Sequence, residues 1–299
     1  MSLICQVKTL YVPTSFQKFK NILPYYYYIS NTMTKRAHTL FIVVISFIAG
    51  CSILQKNPSK LKPEMVPVDG GSFIMGDVFD SANTDALPTH EVSVGDFYIG
   101  KFEITFQQYD EYAQSTGRSL PNDRGYGRGK RAVVYITWQE ANAFCNYWGW
   151  RLPTEIEWEY AARSGGEKYR YSGTNNPDSL GQFAITTRSN IEFSYLVGSK
   201  RPNELGLYDM SGNVFEMVSS FYQNYSNPDD PHDLNESSLR IMRGGSFDEQ
   251  IETNQTFWRV GTYDQMIHDD VGFRCAISRE ELDKRGLFNG IFNISKDMP

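Results

Sequence analysis

The sequence predicts a loop-rich α+β domain, and three observations carry that prediction. Three hydroxyl residues stand at capping-box spacing from an amide or carboxylate: Thr105 with Gln108, Thr137 with Glu140, and Thr154 with Glu157. In that pattern each pair satisfies orphan N–H groups of a first helical turn. Short alternating apolar runs precede these starts and read as strands. From 165 to 280 no helix-length periodicity appears before Arg279-Glu280-Glu281, only brief apolar runs between Gly, Asn, Asp and Ser clusters. Long irregular connections in a compact domain mean function, or local organisation by a bound ion.

Taken in order, Met65–Val68 and Ser72–Met75 alternate around Gly70-Gly71, which gives a hairpin-type signal. His90–Val94 and Phe97–Gly100 form a further expected strand pair. The helix begun at Thr137 continues with Ala141, Phe144, Cys145 and Trp148 at helical spacing and ends near Gly149, so Cys145 lies on its buried stripe. Pro153 and Gly165-Gly166 bracket the third helix. One domain is expected over 65–280, with a C-terminal tail at 281–299.

The first fifty residues are of another kind. They hold five Lys/Arg and no acid, leaving 24 basic against 35 acidic residues in 51–299, a charge of −11. So acidic a body is a poor partner for nucleic acid, whose backbone is held by basic side chains. Lys35-Arg36 precede an apolar run of about ten residues from Leu40, the pattern of an export signal; a membrane-spanning helix needs about 20. The run ends Ile48-Ala49-Gly50-Cys51, which resembles the lipobox of bacterial lipoproteins. The resemblance implies cleavage before Cys51 and lipid on that cysteine. Residues 1–50 are therefore expected to be leader and signal, with translation starting at Met33. Residues 51–64 are expected to be a polar tether to the membrane. Ser52 gives no acidic retention signal, which favours the outer membrane of a bacterial envelope. In the exported body only Cys145 and Cys275 remain, and an oxidising compartment favours their pairing. Two unpaired buried thiols are the alternative.

Six blocks in order then resemble one family. They are Val66–Gly76, Phe97–Thr105, Ala141–Cys145 running into Arg151–Arg163, Pro202–Glu216, Arg243–Ser246 and Gly272–Ala276. Together they resemble the formylglycine-generating enzyme, or sulfatase-modifying factor, domain. The resemblance implies a variant of the C-type-lectin-like fold and a structural disulfide between Cys145 and Cys275. It also implies an activity that this chain departs from. The oxygen-dependent enzymes of the family hold copper with two thiolates, three and eight positions after the Gly-Gly-Ser motif. Counting from Ser246 places those positions at Glu249 and Asn254. A carboxylate and an amide are hard ligands and do not replace sulfur for Cu(I), so copper is not expected. Phe215 also stands where the family more often has Trp.

The same resemblance implies a calcium site. Its ligands would be Asp209, the Gly212 and Val214 carbonyls and the Glu216 carboxylate, an all-oxygen set suited to that ion. Alternatively, Asp209 and Glu216 cap turns or pair with Arg243. His90, His232 and His268 are too scattered for a metal set. Asp229-Asp230 with Asp233, and Asp269-Asp270, read as solvated loops, and Trp148, Trp150, Trp158 and Tyr160 as core. The expectation is an envelope lipoprotein whose domain binds a protein or glycan without catalysis. The competing expectation is an oxidation of the formylglycine-generating type with a different metal arrangement.

Overall fold

Four short strands make one long two-stranded ribbon. In this computed structural model, which describes residues 61–80, 84–223, 225 and 239–284, β1 (Met65–Val68) pairs antiparallel with β4 (Phe97–Gly100), and β2 (Gly71–Met75) with β3 (His90–Val94). The register runs on across the gap: Val68 faces Phe97 and Gly71 faces Val94. The expected hairpin at Gly70-Gly71 is therefore corrected, as is the pairing of β3 with β4. A Cβ on Gly70 would lie 2.3 Å from the Val94 carbonyl oxygen, and its N–H donates to Asp96 Oδ1. The glycine serves a close crossing between two sheets rather than a turn.

The three predicted helices form where their caps stand. They are α1 (Phe106–Thr116), α2 (Trp138–Tyr147) and α3 (Glu155–Ala162), each with both halves of its capping box made. Gly117, left-handed at φ 70°, closes α1. β5 (Phe215–Phe221), β6 (Arg240–Arg243), β7 (Arg259–Thr262) and β8 (Val271–Gly272) form a sheet in the order β7-β6-β5-β8, with β8 parallel to β5. β9 (Ala276–Ser278) then adds to β4, and α4 (Arg279–Lys284) follows, so the domain's end closes on its beginning.

Among the described residues two large apolar clusters fill the interior, with a small third one of Tyr171, Leu180, Ala184 and Ile251. Phe106 and Tyr109 of α1, Phe144 of α2 and Phe273 form one, and the Cys145–Cys275 disulfide is buried in it. Trp158 of α3 packs with Phe97, Ile99 and Met210 in the other. Trp150, Trp158 and Tyr160 are core residues as expected, and Trp148 is partly buried. Among the described residues no helix is long and apolar enough to cross a membrane. The leader with Met33 and Cys51, the tether to residue 60, the run Asp229, Asp230, His232 and Asp233, and residues 285–299 lie outside the described residues.

Candidate cation site and the degenerate thiol positions

The loop from Asp209 to Glu216 leads into β5 and is wound tightly. Asp209, Gly212 and Asn213 all have positive φ, at 57°, 76° and 61°. At Gly212 a Cβ would fall 2.1 Å from the Ile185 carbonyl oxygen, so only glycine fits there. The Asp209 carboxylate is buried at 3% exposure and accepts from the Gly198 N–H at 2.7 Å through Oδ2. Its Oδ1 is buried without a hydrogen-bond partner. Burial, reinforced by Glu216 and opposed by the Gly198 N–H and Arg274, raises its pKa to about 6.

Glu216 pairs with Arg274, not with Arg243 as one reading of the sequence allowed. Arg274 donates from Nε to Oε2 at 2.6 Å and from Nη2 to Oε1 at 2.7 Å, while Trp158 Nε1 donates to Oε2 at 2.8 Å. Arg243 is engaged instead by Glu155 and Glu159 of α3, each at 2.6 Å. Glu216 thus holds a guanidinium already, whatever else it binds.

A third carboxylate completes this cluster, one to which the sequence reading gave no role. Glu103, just after β4, accepts from Asn213 Nδ2 at 2.5 Å and from the Val214 N–H at 3.2 Å. It is 1% exposed. Burial first, then Asp209 and Glu216, push its carboxyl well above the usual carboxylate range, with Arg274 acting against them. The signal for Glu103 was a lone acid in an apolar stretch, Phe97–Thr105, which the motif contained without assigning it a role.

Among the described residues, three buried carboxylates therefore share one buried guanidinium. Lys200 also favours the ionised form of Asp209, and its ammonium donates to the Gly181 carbonyl. No three His, Cys, Asp or Glu side chains among the described residues are grouped to hold a metal by themselves. A cation here would need main-chain oxygens, and the Gly212 and Val214 carbonyls are the candidates from the sequence. Two features fit a hard dication: the orphaned Asp209 oxygen, and three buried carboxyl groups that face a single guanidinium in a place closed to water.

The two positions that the resemblance sets against the family's thiols, Glu249 and Asn254, behave differently from each other. Glu249 is half-buried, and burial together with Asp270 raises its pKa. Asn254 is fully buried, ends a 3-10 turn, donates through Nδ2 to the Gln250 carbonyl at 2.8 Å and packs against Gly245. Its Oδ1 has no hydrogen-bond partner. Ser246, in the turn after β6, donates to Asp270 Oδ2 at 2.8 Å. This segment is tied to the cation loop: Ser211 Oγ donates to the Asn254 carbonyl and the Phe247 N–H to the Asn213 carbonyl, both at 2.8 Å. His90 contacts the Pro88 carbonyl and His268 the Thr262 hydroxyl, so neither joins these clusters by hydrogen bonding.

The long ribbon, three capped helices and irregular second half define a C-type-lectin-like domain of the sulfatase-modifying type. The chain belongs to the family of sulfatase-modifying factor enzyme 1-like domains, whose profile matches residues 51–279. It is 28% identical to an inactive C-alpha-formylglycine-generating enzyme 2 of Mus musculus, over 79% of this chain and 92% of that one. To the formylglycine-generating enzyme of Streptomyces coelicolor it is also 28% identical, over 71% and 88%. A serine/threonine-protein kinase pkn1 of Chlamydia pneumoniae is 29% identical over 74% of this chain, which spans only 39% of that relative's length. Among solved structures, PvdO from Pseudomonas aeruginosa aligns with TM-score 0.62 and 25% identity over 74% of this chain and 98% of its own. Treponema denticola variable protein 1 aligns with TM-score 0.58 and 26% identity over 71% and 94%.

Proposed function

We propose that the chain is a lipid-anchored recognition or scaffold module of a bacterial envelope, probing a protein or glycan partner without catalysing a reaction. The observation that carries this is the pair Glu249 and Asn254 where copper-binding thiolates would stand. Soft Cu(I) has no sulfur there to bind, and the Asn254 amide is turned into the fold. The likeness to a relative named as inactive agrees with this reading. The Ile48–Cys51 segment supports the anchor, through lipid on Cys51, and an outer-membrane location.

Calcium is part of the proposal, as a structural ion held by Asp209 with the Gly212 and Val214 carbonyls and Glu216. When bound it supplies positive charge that offsets the buried carboxylates and fixes the loop entering β5. The second reading, an oxidoreductase acting on a sulfatase cysteine, is favoured only by family membership. An assay on a sulfatase-derived cysteine peptide, with Cu(I) and then Fe(II), separates the two. We expect no turnover above a metal-free control; aldehyde formation with loss of thiol and uptake of oxygen overturns the non-catalytic reading.

A further inference from the structure

We propose that the C-terminal ends of α1 and α2 form a face that rests on the membrane, seating aromatic rings among lipid headgroups and two cations against their phosphates. This depends on the lipid anchor proposed above and names the surface which that anchor holds down. The face is a continuous chain of ring and cation contacts. The Arg118 guanidinium lies 5.6 Å over the Tyr112 ring, Tyr112 meets Tyr147 edge-on at 5.2 Å, and Tyr147 meets Trp148 edge-on at 5.2 Å. Trp148 stacks on Trp150 at 6.0 Å, and the Lys62 ammonium lies over both indoles, 5.1 Å from the Trp150 ring. Ser115 Oγ donates to Tyr147 Oη at 3.4 Å, which joins the two helix ends. Tyr112 and Trp150 root the chain of rings in the core, whereas Tyr147 is 48% exposed, Trp148 is half-buried and Arg118 is exposed.

What commits this face to lipid is where the polypeptide enters it. Lys62 stands eleven residues after Cys51, a span of at most about 40 Å when fully extended. The entry is fixed two residues later. There the Lys101 N–H donates to the Glu64 carbonyl at 2.9 Å, and the Lys101 ammonium pairs with the Glu64 carboxylate at 2.8 Å. Lipid on Cys51 therefore keeps the ring face within reach of the bilayer.

Charge points the same way. Residues 51–63, 112–122 and 141–150 hold no Asp or Glu, in a body with 35 of them, and the first stretch adds Lys56 and Lys60 to Lys62. Glu140, which acts on Tyr112, is held in the cap at Thr137. A body so rich in acids is repelled by an anionic leaflet, so a face built from acid-free stretches is the side that can approach it. Tryptophan and tyrosine favour the headgroup level because an apolar ring carries a polar tip, and anionic lipids attract basic side chains beside an anchor. A glycan stacks on such rings too, but has no use for the basic entry segment.

The test uses the full chain, processed in a bacterial host and reconstituted into vesicles of phosphatidylethanolamine and phosphatidylglycerol, with and without bromine on the acyl carbons nearest the headgroup. Mass spectrometry of the same sample reads the lipid on Cys51. Bromine should quench the tryptophan emission of the wild type, and Trp148→Phe should remove at least half of that quenching. Tyr147→Ser and Arg118→Glu should each cut it at least twofold with Tm in detergent unchanged; where Tyr147→Ser lowers Tm, the exposed Arg118 decides. Lipid on Cys51 with equal emission in both kinds of vesicle overturns the proposal and leaves the anchor standing. A chain without lipid on Cys51 defeats the anchor and the proposal together. Quenching that survives both Tyr147→Ser and Arg118→Glu puts another face on the membrane, and Trp148 shielded from acrylamide without bromine quenching has a protein or glycan over it. Either result overturns the proposal.

Discussion

The ionic cluster around Arg243 and the one around Arg274 are both deeply buried, yet only the first is balanced. Glu155 and Glu159, one turn apart on α3, face Arg243, Arg259 and Arg163, and Asp77 acts on Arg163 as well. Among the described residues that is three acids against three guanidiniums. Most of the surplus N–H groups go to carbonyls, Arg163 to Ile74 and Gly76, Arg243 to Thr256, and Arg259 to Asp85 and Gln223, while Arg163 Nε and Arg243 Nε are buried without a hydrogen-bond partner. The second cluster sets three acids against one guanidinium. Burying charges costs several kcal/mol per ion unless they are paired and hydrogen-bonded. The first cluster pairs its charges internally and holds α3 to the ribbon and to the sheet of β5 and β6. The second balances its acids only with protons or a cation, which is why we read the first as framework and the second as a binding site.

The comparison can be broken at its strongest point first. Arg243→Ala should strand Glu155 and Glu159 and lower the unfolding free energy by about 3–5 kcal/mol in urea titrations, in calcium and EDTA alike. A loss below about 1 kcal/mol in either medium shows that the balance was not what stabilised the cluster. Next, saturating calcium should stabilise the wild type by about 2.7 kcal/mol at a hundredfold excess over Kd. Asp209→Asn should abolish that gain while leaving the protein in EDTA no less stable. An undiminished calcium effect in this variant removes Asp209 from the site.

The smallest effect sharpens the acidic segment beside the thiol positions. Burial raises the Asp270 carboxyl, and the Ser246 hydroxyl bonded to it holds it down. The folded state therefore keeps this proton more tightly than the unfolded chain does. The stability it contributes is greatest at low pH and is lost as pH rises through the raised value. Ser246→Ala should move the Asp270 titration, followed by carboxyl-carbon NMR, to still higher pH, with a stability change of a few tenths to about 1 kcal/mol. A downward move would mean that Asp270 does not depend on that hydroxyl.

Much of the framework was readable from local chemistry. Thr105, Thr137 and Thr154 marked helix starts because a capping box is made within four residues and needs nothing from the rest of the fold. Cys145 and Cys275 were expected to pair from the cysteine count and the family resemblance, with two unpaired thiols as the alternative, and the structure joins them. The strand pairing was misread at Gly70, because a hairpin glycine and a crossing glycine look alike until the partner strand passes within 2.3 Å of it. Glu103 and Arg274 had been visible only as letters within motifs, and Asp270 only as part of a solvated acidic loop. Their meaning depends on partners 58 to 111 positions away in the chain for the first two and 24 for the third.

Sequence alone determined the family blocks, the helix starts and the absence of sulfur at positions 249 and 254. All of these are properties of residue type and short spacing, which survive without knowledge of the fold. Only the tertiary structure decided which acid faces which arginine, because burial removes water as a partner and forces each charge to find its counterpart across the chain. That long-range pairing left Asp209 with an unmatched oxygen, and it gave Glu103 its hold on the loop.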